Sequence, residues 1–381
     1  MVEIHRGLAD VAIDTSQVCH IDGERGELIY RGYDIRELAD KASYEEVAFL
    51  LWNDDLPTTA QLAAFTDELA RSFALPDAVY EALAAVPRGV APMHALRTAV
   101  SFLGSLDLEA DGVDDATVRR IGMRLLAQLP TIVAACQRIR TGLEPIAPLP
   151  HLSVAGNFLY MLTGTEPTEA ATRVMDVALV LHAEHGSNAS TFVARSVAST
   201  LSDVYSSITA AIGSLKGPLH GGANEAVMKA LETIGDLAGV EPYVMGILAK
   251  PGGRVMGFGH RVYRVLDPRA MVLKRVAEEL AAESGDSLSF DMSIEMERVM
   301  EREMSARGKQ VRPNVDFFSA SVYRMLGFPA DMYTPIFAVA RISGWMAHLY
   351  EQYADNRLMR PRLVYEGPTG KTFKPIAERA A

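Results

Sequence analysis

Thr334-Pro335-Ile336-Phe337-Ala338-Val339-Ala340-Arg341-Ile342-Ser343-Gly344-Trp345 opens with an N-cap residue and a proline at the first helical position. Apolar residues dominate onward to about Tyr353, which predicts one long helix. Arg341 falls among Phe337, Ile342 and Trp345 on this otherwise apolar helix. An unpaired buried charge is expensive, so Arg341 needs an anionic partner, the simplest being one of the chain's 48 acidic residues.

Similar start signals recur along the chain. Asp34-Ile35-Arg36-Glu37, Ser43-Tyr44-Glu45-Glu46 and Thr58-Thr59-Ala60-Gln61 match the capping-box pattern ahead of apolar stretches. Ala-, Leu- and Met-rich segments with helical spacing continue through Val133, and again from Thr168 to about Lys216. Asp267-Pro268 opens a further helix, to about Leu280. Near the N-terminus, Val18–Ile21 and Leu28–Tyr30 flank a turn containing Asp22-Gly23 and Gly26, which reads as a small β element. No regular strand–helix alternation or fixed-period repeat is present. The expected fold class is all-α with that β element at its start.

A chain of 381 residues is expected to form two domains. Gly213, Gly217 and Gly221-Gly222 offer one hinge and Gly327-Phe328-Pro329 another. They divide the chain into a large helical domain, 1–220 and 326–381, and a small helical domain inserted at 221–325. Apolar content of 49% with 22% charged residues is ordinary for a soluble globular protein. The net charge of −11 argues against nucleic acid or an anionic membrane as partner, although a local arginine cluster can still hold a small anion. Cys19 and Cys136 show neither CxxC nor metal spacing, which suits inert thiols in a reducing compartment. No signal peptide, transit sequence or membrane-spanning run is visible, so the expected location is the cytoplasm.

Three short segments set a titratable side chain beside glycine or proline at a helix boundary: Lys216–Glu225, Met256–His260 and Pro313–Asp316. His220 precedes Gly221-Gly222 and a helix starting near Ala223; the positive end of that helix favours a neutral imidazole, whose N–H can polarise a carbonyl. A capping or core histidine is the plainer alternative. His260 ends a glycine-rich stretch surrounded by Lys250, Arg254, Arg261 and Arg264. Exposed amides among cations suit phosphates, though neither a P-loop nor a dinucleotide fingerprint is present. Asp316 precedes Phe317-Phe318, where partial desolvation raises basicity; it could equally cap the following helix. His182 and His185 have the i,i+3 spacing of a metal pair, but no further ligand cluster supports a metal.

Taken together, GPLHGGANEAV, GFGHRVYRVLDPRA and PNVDFFSA, in that order, resemble the three active-site segments of the citrate synthase family. HAEHGSNAS, FAVARISGW and DNRLMRPR resemble its flanking ones, so the likeness spans nearly the whole chain. The resemblance implies a mostly helical homodimer that condenses an acyl-CoA with oxaloacetate, with no metal and no cofactor beyond the coenzyme A thioester substrate. Asp316 would take the methyl proton of acetyl-CoA, His220 would hydrogen-bond the thioester carbonyl, and His260 would polarise the ketone. His185, Arg269 and Arg341 would bind oxaloacetate, with Arg360 arriving from the other subunit. Arg254, Val255, Met256, Gly257, Phe258 and Gly259 would face the adenine and pyrophosphate of CoA, with Arg264 a phosphate contact. Phe337 would wall the acyl group, and Asn188 and Ser190 would support the site. Gly186 stands where relatives often have an acidic residue.

The family's short form lacks an extra N-terminal domain, so inhibition by NADH is not expected. The near rival is a 2-methylcitrate synthase, which uses propionyl-CoA on the same scaffold; one methylene in an apolar pocket is worth only about 1–3 kcal/mol. From other classes, a non-catalytic helical scaffold and a metal-dependent hydrolase remain to be distinguished.

Overall fold

Helix Tyr333–Ala354 is buried continuously from Tyr333 to Tyr350, as a helix apolar on all sides must be. Helices Asp115–Arg140, Ala189–Ala198, Glu169–His182 and Tyr44–Asn53 pack around it. Polar atoms of the surround tie into its backbone: Tyr44 Oη donates to Ala340 O at 2.7 Å and Trp52 Nε1 to Ser343 O at 2.8 Å. At Gly344 the neighbouring chain comes so close that a Cβ would lie 2.3 Å from Ala183 O. The helix starts at Tyr333 rather than Pro335, because a 3₁₀ turn, Ala330–Met332, runs straight into it. The Thr334 hydroxyl, expected as its cap, instead donates to Gly221 O at 3.2 Å.

This computed structural model describes residues 4–8, 11–284 and 287–379. Helices dominate them, and the all-α expectation holds. Full capping boxes form at Ser43/Glu46 and Thr58/Gln61. At Asp34 the side chain caps Arg36 N–H, which is the cap alone. The stretch from Thr168 to Lys216 contains three helices, Glu169–His182, Ala189–Ala198 and Val204–Leu215. Strands β1 (Cys19–Asp22), β2 (Glu27–Tyr30) and β3 (Tyr33–Asp34) make one antiparallel sheet, with Cys19 opposite Tyr30 and Asp22 opposite Glu27.

Five helices follow Val204–Leu215, namely Ala223–Ile234, Leu237–Leu248, Pro268–Ser284, Leu288–Ala306 and Val315–Met325, and pack on one another. Pro268–Ser284 also lies against helices Ile35–Lys41 and Glu169–His182. Segment 250–267, which carries His260, touches Phe317 and Val227 of these helices at Gly257 and the N-terminal hairpin at Val262. Among the described residues no helix is long and apolar enough to cross a membrane.

Candidate active site

The glycine loop before His260 is stitched to the segment before Asp316. Phe258 and Pro313 form an antiparallel bridge, Gly259 N–H donates to Arg312 O at 2.8 Å, and Asn314 N–H donates to Gly257 O at 2.9 Å. Asn314 Nδ2 adds a bond to Gly259 O at 2.9 Å. Gly257 has φ +81°, and a Cβ there would come within 2.7 Å of the Phe317 ring, so the close approach requires glycine. His260 and Asp316 are thereby held on one unit. Asn314 caps helix Val315–Met325, accepting from Asp316 N–H at 3.1 Å. The capping alternative for Asp316 is therefore corrected: it sits inside the first turn, because Asn314 already supplies the cap.

Asp316 keeps some exposed surface, yet protein surrounds its carboxyl group. Burial pushes it up to about 6, against the opposing pull of the Arg269 and Arg341 guanidinia. Among the described residues no side chain hydrogen-bonds this carboxylate. It combines a raised basicity with a free pair of oxygens.

The histidines are driven the other way. Burial, followed by the Arg341 charge, lowers His220 to about 4. Burial and Arg269 lower His260 to about 4, and His185 goes well below its ordinary value for the same reasons. All three are neutral near pH 7, and their hydrogen bonds fix the tautomers of two. Ser190 N–H points at His220 Nε2 from 3.3 Å, so that nitrogen accepts and the proton resides on Nδ1. Val262 N–H and Tyr263 N–H point at His260 Nδ1 from 3.0 and 3.2 Å, so its proton resides on Nε2. Each imidazole thus has one N–H left over for a ligand.

The support beneath His220 is layered. Ser190 Oγ lies 2.8 Å from His220 Nε2, accepts from Trp345 Nε1 at 3.1 Å and reaches Asn188 Oδ1 at 2.8 Å. Asn188 caps helix Ala189–Ala198, which fixes that chain of contacts to a regular element. Phe337 is buried with its ring edge-on to His220, centroids 6.3 Å apart. The rings of His185 and His260 are 5.2 Å apart, and Tyr263 lies beside both, its hydroxyl 3.2 Å from His185 Nε2.

Both inner arginines are buried. Arg269 forks onto Asp267, with Nε–Oδ1 at 3.0 Å and Nη2–Oδ2 at 2.8 Å. Although burial alone would raise it, the Arg269 charge holds the Asp267 carboxyl below the usual range. Asp267 also accepts from Val315 N–H at 3.3 Å, joining the arginine to the Asp316 helix. The sequence reading gave Asp267 only a capping role; its spacing two residues before Arg269 was the signal. Arg341 differs from expectation, since among the described residues it forms no ion pair within 4 Å. Its Nε donates to His182 O at 2.8 Å, and its guanidinium lies 4.8 Å above the Phe337 ring. The Arg269 charge is thus met by Asp267, whereas buried Arg341 has no carboxylate within 4 Å among the described residues.

A cleft of about 150 Å³ outside His260 is lined by Gly259, Tyr263, Arg264 and Asp267, with Gln310–Pro313 opposite. Arg254, Met256 and Arg264 are exposed, Val255 is buried, and Phe258 packs against Phe317 with the rings tilted by 59° and centroids 4.6 Å apart. Arg360 is exposed in the irregular segment after Ala354, separate from the buried cluster. The apparent His182/His185 pair does not share a helix face: helix Glu169–His182 ends at the first, and His182 Nδ1 bonds Ala178 O at 2.8 Å. Among the described residues no group of three or more His, Cys, Asp or Glu could hold a metal ion. Gly186 has φ +58°, the left-handed region where a side-chain-bearing residue is strained.

The family model described as citrate synthase, C-terminal domain, matches residues 7–362. The chain belongs to the citrate synthase family. A Bacillus subtilis protein named citrate synthase 2 is 49% identical over 376 residues, 98% of this chain and 99% of its own. A 2-methylcitrate synthase of Mycobacterium tuberculosis is 44% identical, over 96% of this chain and 91% of its own. Among solved structures, Thermoplasma acidophilum citrate synthase in a ternary complex with carboxymethyl coenzyme A and oxaloacetate superposes with TM-score 0.92 at 35% identity, covering 99% of this chain and all of that one. Its activity is accordingly that of a citrate synthase, an acyltransferase that joins an acetyl unit to a keto acid.

Proposed function

We propose that the buried cluster condenses acetyl-CoA with oxaloacetate through Asp316, His220 and His260. The carrying observation is the opposed tuning of one site: a carboxylate raised to about 6 beside imidazoles lowered to about 4. Asp316 removes a proton from the acetyl methyl group while His220 Nδ1–H stabilises the enolate oxygen. An ordinary carboxylate, pKa about 3.9, is too weak for this step without such help. The methyl carbon then forms a bond to the ketone carbon, and His260 Nε2–H supplies the proton to the ketone oxygen. Water finally splits the thioester C–S bond, releasing CoA and citrate. His185, Arg269 and Arg341 hold the two carboxylates of oxaloacetate, and Arg254–Gly259 with Arg264 receives CoA. No cofactor is required by this sequence of steps.

The direct test compares kcat/KM for acetyl-CoA and propionyl-CoA with oxaloacetate. Acetyl-CoA is expected to win, and higher kcat/KM for propionyl-CoA would assign 2-methylcitrate synthesis instead. The pH profile gives a second expectation. Asp316 must be ionised, so kcat/KM falls as pH drops through about 6. The histidines stay neutral there and add no step between pH 6 and 8. A profile flat from pH 5 to 8 would remove Asp316 as the base.

The proposal includes two domains, 1–220 with 326–381 and 221–325, that close on oxaloacetate before CoA binds. Oxaloacetate should then compact the protein in small-angle scattering. Unchanged scattering, together with acyl-CoA binding indifferent to oxaloacetate, would refute closure. It also includes a cytoplasmic homodimer in which Arg360 serves the partner's site. Supporting this, the tail around Arg360 exposes Leu363 at 97%, Phe373 at 81% and Ile376 at 76%, apolar surface that a second copy would cover.

A further inference from the structure

The hairpin β1–β2 touches both walls of the cluster. At its base, Tyr30 is fully buried, and its hydroxyl donates to Glu184 O at 2.7 Å while accepting from Glu184 N–H at 3.2 Å. This grips the backbone next to His185. At its tip, Asp22 Oδ1 accepts from Glu24 N–H and Arg25 N–H at 2.9 and 3.0 Å, shaping a tight turn. The turn lies directly on segment 260–266. Gly23 O accepts from Arg264 N–H at 2.8 Å, and a Cβ on Gly23 would be 2.3 Å from Val262 O. A Cβ on Gly26 would be 2.9 Å from Val265 Cγ2 and 3.0 Å from Leu266 O. Val262 N–H is one of the two donors that orient His260 Nδ1.

We infer that this hairpin is a positioning brace that sets the distance between His185 and His260, with Tyr30 holding one side and the Gly23–Gly26 turn the other. The two imidazoles come from segments 75 residues apart, yet their rings meet edge to face with centroids 5.2 Å apart, in direct contact, so that both can face one small keto acid. Backbone contacts at both ends explain the glycines: side chains there would lift the tip from the loop it steadies. Gly23, Gly26 and Tyr30 touch no substrate and act through the histidines. The inference rests on the reading that His185 and His260 contact oxaloacetate.

Gly23→Ala should raise the oxaloacetate Kd, measured by titration calorimetry on folded protein, at least about tenfold, since misplacement by about 1 Å can cost up to about 10²-fold. At saturating oxaloacetate kcat should fall as well, because His260 also protonates the ketone in the condensation. Tyr30→Phe should raise the same Kd, and the double variant should lose less than the sum of the two, because either change releases the same brace. Should Gly23→Ala not fold, Gly26→Ala takes its place in both measurements; its nearest contacts, at 2.9 and 3.0 Å, are less close, although its φ of +66° adds backbone strain. Oxaloacetate binding at wild-type strength in the folded glycine variant, or strictly additive effects in the double variant, would overturn the brace. Failure of the wild-type protein to bind oxaloacetate would instead overturn the functional reading beneath it.

Discussion

Asp316→Asn should remove most turnover, by about 10²- to 10⁴-fold, while the protein folds normally. Proton abstraction and enolate stabilisation belong to one transition state, so His220→Gln should fall by a similar factor, and the double variant little further. The thermodynamic counterpart has the opposite sign. In the folded chain Asp316 is raised from 3.8 to about 6, so ionising it opposes folding. That cost is absent below the unfolded value, grows as pH climbs from about 4 to 6, and persists above. Asp316→Asn should therefore be more stable than wild type at pH 8, by up to roughly 3 kcal/mol, with the gain disappearing near pH 4. Steady-state kinetics and thermal melts on one preparation check both. Near-wild-type kcat in Asp316→Asn would defeat the assigned chemistry, and equal melts at pH 8 would show that the carboxylate is not held against its own ionisation.

Mixed dimers should regain activity that neither parent possesses. An Asp316→Ala dimer and an Arg360→Ala dimer should each be severely impaired, because every site lacks one part. Pairing the two chains places both defects in one site. The other site then combines intact Asp316 with the partner's intact Arg360, as two-fold symmetry requires when the arginine acts in trans. Co-refolded, verified heterodimers should therefore show up to one working site. Heterodimers as inactive as the parents would place Arg360 in its own subunit's site or make the two sites interdependent.

Local signals carried much of the fold. Serine and threonine caps at Ser43 and Thr58 mark true helix starts, because a cap is decided within four residues. The β element was equally plain from the turn at Asp22-Gly23. Boundaries failed where distant packing intervened: Thr334 lost its cap to a 3₁₀ turn, and the run from Thr168 to Lys216 concealed two breaks. The titratable residues of the site were legible as His220, His260 and Asp316 beside glycine and proline. Their bonding was not. The tautomers depend on Ser190 and Val262 amides, Arg341 forms no ion pair among the described residues despite its burial, and Asp267, besides capping Arg269 N–H, also binds the Arg269 guanidinium and Val315 N–H.

Helix Tyr333–Ala354 leaves little freedom for redesign. Phe337, beside His220, and Arg341 belong to a cylinder with no solvent-facing side, gripped by Tyr44 and Trp52 and pressed against Ala183 at Gly344. Enlarging the space at Phe337 for a bulkier acyl chain would open a void inside the main core, where large-to-small changes cost about 3–5 kcal/mol. Laboratory selection for new acyl donors should consequently accumulate its first changes elsewhere, on the partly exposed loop around Met256 and Phe258, and reach the helix only after unrelated stabilising substitutions have made room for the loss.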